Sequence, residues 1–117
     1  MVEIGNDTYL NFNTRFGVFD SRVIIGSKVL VGPNVSFETA SHSLSITREL
    51  FTKPIIIKDN VWIGAGSIII QGVTIAEGSV IGAGSIVTND TEPFSVYAGV
   101  PAKKIKDIQN DQYHRDK

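Results

Sequence analysis

His42 is the residue of this sequence best suited to proton transfer, and it lies in the polar stretch ETASHSLSITRELFTK at 38–53. Histidine changes its charge near neutral pH, so a positioned imidazole can act as a general base. A lone histidine in a loop is more often a surface residue than a catalyst. The catalytic interpretation of His42 is strengthened because regular sequence resumes directly after its loop, which places the residue against a rigid scaffold. The one other histidine, His114, lies in a polar C-terminal segment.

Other kinds of reactive site find little support. Cysteine is absent, which excludes disulfides and thiolate metal sites. A zinc site of three histidines is close to excluded, since only His42 precedes the C-terminal tail, and no metal is expected. No serine lies in a G-x-S-x-G elbow.

Composition sets further limits. The chain has 11 basic and 12 acidic residues, so charge gives no reason to expect nucleic acid or an anionic membrane as a partner. No apolar run approaches a membrane span, and the start MVEIG does not resemble a signal peptide, so we expect a cytoplasmic protein. Its 117 residues suffice for one small domain, which oligomerisation would stabilise.

A six-residue repeat runs from position 57 as IKDNVW, IGAGSI, IIQGVT, IAEGSV, IGAGSI and VTNDTE. Each block starts with an aliphatic residue, and its fifth residue is small or β-branched. A spacing of six does not fit a helix, whereas short strands joined by tight turns do. Three blocks would form one triangular coil of 18 residues. The repeat therefore predicts a parallel β-helix in which Ile57 stacks on Ile75, Ile63 on Ile81 and Ile69 on Val87.

The same period continues upstream with two interruptions. Three extra residues precede Ile25, and the stretch between Phe37 and Ile57 exceeds three blocks by two residues, so we expect a loop extruded at 38–54. An ordinary antiparallel β-domain is the alternative fold, but it would not hold one register over six blocks. We predict an all-β domain over 1–108 and a polar tail over 109–117, with Ile105 and Ile108 anchoring a short helical turn.

Several motifs resemble the galactoside and maltose O-acetyltransferases of the hexapeptide-repeat acyltransferases. The matching pieces are Asn11-Phe12-Asn13, Ser41-His42, Pro54, DNVWIG at 59–64, GVTI at 72–75, SVIGAGSIVT at 79–88 and AGVPAKKI at 98–105. The resemblance implies a left-handed β-helix and a homotrimer with active sites between subunits. It also implies transfer of an acetyl group from acetyl-CoA to a hydroxyl of a sugar or glycoside, by direct attack and without an acyl-enzyme.

The resemblance also assigns residues. His42 matches the general base, and a backbone N–H near Ala65 would hold the developing oxyanion. Asn11 and Asp20 fall where the family binds acceptor hydroxyls. The positions that match the coenzyme A groove between two subunits are Ala65, Ala83, Thr88, Asn89, Lys103 and Lys106. The two lysines suit phosphate by charge, although a solvated tail is the alternative for both, and above all for Lys106. Trp62 is expected to pack or to line the groove.

Two departures bear on the acceptor. The sequence begins directly at the repeat, without the N-terminal helical segment of the sugar acetyltransferases, as expected for a short member with a different acceptor or for a fragment. The loop from His42 to Pro54 is also shorter than in a galactoside enzyme. An amino sugar, a polysaccharide precursor or an antibiotic therefore remains an alternative acceptor. A non-catalytic β-helical trimerisation module is a further alternative, but such a scaffold would not need His42, Asn11 or Lys103.

Overall fold

Twelve short strands wind into four coils of a left-handed parallel β-helix in the computed structural model, which describes residues 1–109. Each coil contributes three strands, one to each face of a triangular prism. The first two coils contain β1 (Val2–Ile4), β2 (Tyr9–Leu10), β3 (Arg15–Gly17), β4 (Val23–Ile25), β5 (Leu30–Val31) and β6 (Ser36–Glu38). A hairpin of β7 (Ala40–His42) and β8 (Leu50–Thr52) follows. The last two coils contain β9 (Ile55–Ile57), β10 (Trp62–Ile63), β11 (Ile68–Ile70), β12 (Thr74–Ile75), β13 (Val80–Ile81) and β14 (Ile86–Val87).

The three faces are parallel sheets, which we call A, B and C. Sheet A has the order β1-β4-β9-β12, sheet C the order β3-β6-β11-β14, and sheet B contains β2-β5-β10-β13. The predicted stacking is confirmed, since Ile57 pairs with Ile75, Ile63 with Ile81 and Ile69 with Val87. The six-residue repeat therefore gave the register of the prism correctly.

The prism interior is filled by residues at the first and fifth positions of the blocks. Fifteen hydrophobic residues form one buried cluster, and the rings of Phe16 and Phe37 stack with centroids 5.2 Å apart. The small residues at the fifth position are buried beside them, and their hydroxyls are satisfied; Ser85 Oγ, for example, donates to the Gly82 carbonyl at 2.6 Å. Within residues 1–109 no buried side-chain nitrogen or oxygen lacks a partner, as a packed interior requires.

Three rows of turns form the corners of the prism. The first corner, between sheets A and B, contains residues 5–8, 26–29, 58–61 and 76–79. The second corner, between sheets B and C, contains residues 11–14, 32–35, 64–67 and 82–85. The third corner, between sheets C and A, contains residues 18–22, 39–54, 71–73 and 88–91. The extra residues before Ile25 and Ile57 both lie at the third corner, where the hairpin leaves the prism.

The C-terminal part differs from the expected helical turn. β15 (Ser95–Gly99) adds to sheet B beside β13, and β16 (Ala102–Asp107) pairs with β15 in the antiparallel sense. The prediction of a helical turn at Ile105 and Ile108 was therefore wrong. The open edge of β15 offers backbone partners to the returning chain, and this pairing outweighs the local three-residue spacing. Ile108 follows β16, and its amide donates to the Phe94 carbonyl at 2.8 Å.

Beyond Gln109 the predicted polar tail and His114 lie outside the described residues. Over residues 1–109 the structure contains no helix with the length and apolar character to cross a membrane.

Candidate functional site

His42 lies at the end of β7, on the hairpin that leaves the third corner. Its side chain is exposed, and its Nδ1 lies 2.8 Å from the backbone carbonyl oxygen of Arg48. A carbonyl oxygen only accepts hydrogen bonds, so Nδ1 carries the proton and donates it. In a neutral imidazole the other nitrogen, Nε2, then has a lone pair that can accept a proton. The backbone thus selects the tautomer that a general base needs.

The loop at the hairpin tip, residues 43–49, is braced by its own hydrogen bonds. The Ser43 amide donates to the Glu49 carbonyl at 2.8 Å, and the Arg48 amide donates to the Ser45 carbonyl at 2.9 Å. Arg48 adopts a φ of 49° and donates from Nη1 to the Leu44 carbonyl at 2.8 Å. The two backbone hydrogen bonds hold the Arg48 carbonyl in place, and through it the orientation of the His42 ring.

Ala65 and Ala83 lie one above the other at the second corner. A Cβ on Gly32 would lie 2.8 Å from the Ala65 nitrogen, and a Cβ on Gly64 would lie 2.6 Å from the Ala83 nitrogen. The glycines therefore keep the space beside each amide clear. Within residues 1–109 neither amide donates a hydrogen bond, so both can donate to an outside oxygen.

The two predicted acceptor residues lie at different corners of the first coil. Asn11 is half-buried at the second corner, and its Oδ1 accepts a 2.8 Å hydrogen bond from the Phe12 amide. Its side-chain NH₂ group takes no part in this bond and keeps its two donor hydrogens. Asp20 is exposed at the third corner, in a turn that the Ser21 amide closes by donating to the Val18 carbonyl at 2.9 Å.

The lysines of β16 divide into two kinds. Lys104 lies 2.7 Å from Asp107 and 2.8 Å from Glu92, and hydrogen bonds to these two carboxylates raise the pKa of Lys104. Lys103 and Lys106 are exposed, and among the described residues neither forms an ion pair. Their positive charges are therefore not neutralised by a carboxylate among residues 1–109.

Sheet C separates the predicted site residues into two groups. Asn11, Ala65 and Ala83 lie at the second corner, whereas the third corner carries Asp20, His42, Thr88 and Asn89. Asn89 Nδ2 donates to Thr88 Oγ1 at 3.3 Å, so this hydrogen bond joins two adjacent residues of the third corner. One chain therefore does not bring the predicted base and the predicted oxyanion amide to the same corner.

A cleft of about 610 Å³ lies at the first corner, lined by Lys58, Asp59, Thr74, Ala76, Glu77 and Pro93. It contains none of the predicted site residues and no histidine. All the predicted site residues of the coils and of the hairpin lie at the second and third corners instead. In residues 1–109 no group of three or more His, Cys, Asp or Glu side chains is placed to hold a metal ion.

Sequence reasoning overlooked four exposed apolar side chains near the predicted residues. Leu44 and Ile46 on the hairpin tip are 93% and 95% exposed. Phe12 and Phe19 are 65% and 69% exposed, and each adjoins a predicted acceptor residue. Their position outside the inward register of the repeat was the signal that would have found them. Trp62, which was expected to pack or line the groove, is 54% exposed on the outer face of sheet B.

Comparison with known proteins supports the acyltransferase reading. Residues 54–89 match the family model described as bacterial transferase hexapeptide (six repeats). The galactoside O-acetyltransferase of Escherichia coli K12 is 44% identical over 117 residues, which cover 97% of this chain and 57% of that protein. The chain thus spans little more than half the length of this relative.

Two solved structures extend the likeness. A hexapeptide-repeat acetyltransferase of Vibrio cholerae O1 biovar eltor, complexed with acetyl coenzyme A, superimposes with a TM-score of 0.89 at 40% identity, over 93% of this chain and 61% of that one. A maltose O-acetyltransferase from Clostridium difficile 630 gives a TM-score of 0.74 at 32% identity, over 94% and 68%. This chain therefore belongs to the hexapeptide-repeat acyltransferase family and resembles its galactoside and maltose O-acetyltransferases.

Proposed function

We propose that this protein is an acetyl-CoA-dependent O-acetyltransferase that acts on a hydroxyl of a sugar or glycoside, with His42 as general base. The observation that carries the proposal is the hydrogen bond from His42 Nδ1 to the Arg48 carbonyl. It leaves Nε2 exposed and able to accept the proton of an acceptor hydroxyl. The sugar acceptor follows the names of the similar proteins, two of which are galactoside and maltose O-acetyltransferases.

The residues of the chain would act in one direct transfer. Acetyl-CoA supplies the acetyl group as a thioester. Nε2 of His42 takes the hydroxyl proton while the acceptor oxygen bonds to the acetyl carbon, and the carbon–sulfur bond breaks. The Ala65 amide is suited to donate to the negative charge that develops on the carbonyl oxygen. His42 then returns its proton to the leaving sulfur, so the imidazole ends neutral.

The chemistry of the second corner and of β16 fits coenzyme A. Ala65 and Ala83 present exposed backbone beside small side chains, which allows a narrow chain to lie close to the prism. Thr88 and Asn89 offer a hydroxyl and an amide at the fourth coil. Lys103 and Lys106 supply the unpaired positive charge that phosphate groups need. We assign these six residues to the coenzyme A site on that basis.

We further infer that the active site forms between chains of a homotrimer. The predicted base and the predicted oxyanion amide lie at different corners, so a complete site needs the third corner of one copy beside the second corner of the next. Three prisms related by a threefold axis satisfy this for every copy, with sheet C turned to the axis. Leu44 and Ile46, almost fully exposed on a braced loop, would be buried against the neighbouring chain.

The proposal is tested by following free thiol release from acetyl-CoA with a panel of galactosides, glucosides, amino sugars and aminoglycoside antibiotics. We expect release with at least one pyranoside, together with coenzyme A binding by calorimetry. Activity only with an amino sugar or antibiotic would keep the acetyl transfer and change the acceptor class. If no acceptor gave release and coenzyme A did not bind, the chain would be a structural trimerisation module. The molar mass from light scattering tests the trimer separately.

A further inference from the structure

The two predicted acceptor residues each adjoin an exposed aromatic ring. Phe12 follows Asn11 at the second corner, and Phe19 precedes Asp20 at the third corner. The two rings are 65% and 69% exposed, so neither contributes to the buried cluster inside the prism. Both lie in the first coil, one on either side of β3. An exposed aromatic ring beside a polar group therefore occurs twice, at the two corners that would meet between chains.

Phe19 is held in a backbone conformation that a bulky residue rarely adopts. Its φ is 48°, in the left-handed region that favours glycine. The turn is closed by the Ser21 amide and the Val18 carbonyl, a bond that does not involve the phenyl ring. Phe94 also has a positive φ, but its ring packs against Gly78. Among residues 1–109 the Phe19 side chain lies outside the buried cluster and is 69% exposed, which points to a role toward a ligand or partner.

We propose that Phe12 of one copy and Phe19 of the next form the walls of the acceptor site, and that they select an acceptor whose hydroxyl is carried on a pyranose ring. This inference rests on the proposed function and on the two-chain site. Asn11 and Asp20 then bind hydroxyl groups at the rim of the sugar, while the two aromatic faces contact its C–H bonds. The faces of aromatic rings carry partial negative charge and attract the slightly positive C–H hydrogens.

The arrangement suits a neutral ring better than an acyclic polyol. A pyranose has a rigid apolar face that can lie on a flat ring, whereas a flexible polyol with the same hydroxyl groups must first lose conformational freedom. Asn11 can donate from its side-chain NH₂ group, and Asp20 accepts as a carboxylate, so the pair covers both hydrogen-bonding roles of a hydroxyl. The phenylalanine rings would thus select the shape of the sugar ring. Asn11 and Asp20 would select the positions of its hydroxyl groups.

The experiment compares methyl β-D-galactopyranoside with galactitol as acceptors at saturating acetyl-CoA. The variants are Phe19→Gly, which relieves the positive φ, and Phe12→Leu, which keeps an apolar side chain and removes the ring. Lys28→Gly is the matched control, because Lys28 is exposed at the first corner with a φ of 58°. We expect each phenylalanine variant to lower kcat/KM for the pyranoside roughly tenfold more than kcat/KM for galactitol. Lys28→Gly should leave both values unchanged.

Several results of this experiment would overturn the proposal. Equal losses with both acceptors, or no loss, would overturn the proposal. If Phe19→Gly converted the trimer into monomers in light scattering, the ring would be a subunit contact, and the proposal would again be wrong. If the parent protein gave no turnover, saturation-transfer NMR with the pyranoside would decide the aromatic site separately from the proposed activity. A pyranoside signal that weakens in Phe12→Leu and Phe19→Gly would then support it, and a signal unchanged in both variants would overturn it.

Discussion

The imidazole of His42 is joined to the backbone carbonyl of Arg48 by a 2.8 Å hydrogen bond across the hairpin tip. Because the contact uses the backbone of Arg48, the ring orientation depends on the loop conformation and not on the guanidinium group. The two positions should therefore respond very differently to substitution.

Replacement of His42 by alanine should lower kcat/KM by about 10²- to 10⁴-fold, the usual contribution of general base catalysis. Coenzyme A binding by calorimetry should stay the same, since His42 is not among the six residues assigned to that site. Arg48→Gly is the matched control: glycine accepts the φ of 49° and retains the carbonyl, so activity should stay within a few fold of the parent. An Arg48→Gly enzyme as inactive as His42→Ala would show that the guanidinium takes part.

The exposed aliphatic side chains of the hairpin predict a defect in assembly. A Leu44→Ser, Ile46→Ser double variant would lose apolar burial worth about 1.5–3 kcal/mol per side chain if both are covered in the trimer. Analytical ultracentrifugation should therefore show dissociation at concentrations where the parent is trimeric. Ile105→Ser, at a 60% exposed position on β16, is the control and should leave the trimer intact. An intact, fully active double variant would contradict the hairpin contact.

The close stacking at the second corner predicts a steric effect at Gly32. An alanine Cβ there would lie 2.8 Å from the Ala65 nitrogen and 3.1 Å from the Ala65 Cα, so backbone must shift. We expect Gly32→Ala to lower the free energy of unfolding by about 1–3 kcal/mol, the usual cost of overpacking. Gly82→Ala should cost less, because its nearest neighbour is the Ala98 Cβ at 3.0 Å and the nearest backbone atom is 3.7 Å away. Urea unfolding followed by circular dichroism measures both, and an equal loss would contradict the steric argument.

The C-terminal hairpin should lose stability in acid. The hydrogen bond from Lys104 lowers the pKa of the Asp107 carboxyl, so the folded state binds this proton less readily than the unfolded chain. The stabilisation is complete above the ordinary carboxyl pKa, about 4, and is lost as the pH falls below it. Asp107→Asn should therefore make the decline of Tm below pH 4 shallower. Glu3→Gln removes an exposed carboxylate that forms no ion pair among residues 1–109, and it should leave the slope unchanged.

The sequence alone was sufficient to predict the stacking of the coils in the prism. It was insufficient to predict the conformation of the C-terminal residues that pair with the prism. The spacing of Ile63 and Ile81 fixes their stacking, because a period of six leaves one inward register. The spacing of Ile105 and Ile108 suggested a helical turn, yet the free edge of β15 decided the conformation. That edge exists only after four coils have formed, so no local sequence pattern predicts the strand that pairs with it.

The candidate site shows the same division. His42 was identified from its residue type and its loop, but its partner is a backbone carbonyl, which every residue possesses and no sequence pattern marks. The separation of Ala65 and His42 onto different corners likewise follows from the winding of the chain. Sequence analysis could name the residues, but it could not show that the predicted base and the predicted oxyanion amide lie at different corners of one prism.

The pairing of β15 with β16 has a consequence for the length of the particle. A parallel β-helix presents open strand edges at each end, and identical units can in principle add end to end into a filament. Here β16 covers the last edge of sheet B and carries three lysines, while Asp90 and Thr91 bond the Thr74 and Ala76 amides at the last edge of sheet A. Filament growth requires pairing at both ends of every unit. These contacts therefore occupy the edges of sheets A and B on which a further parallel coil would have to pair.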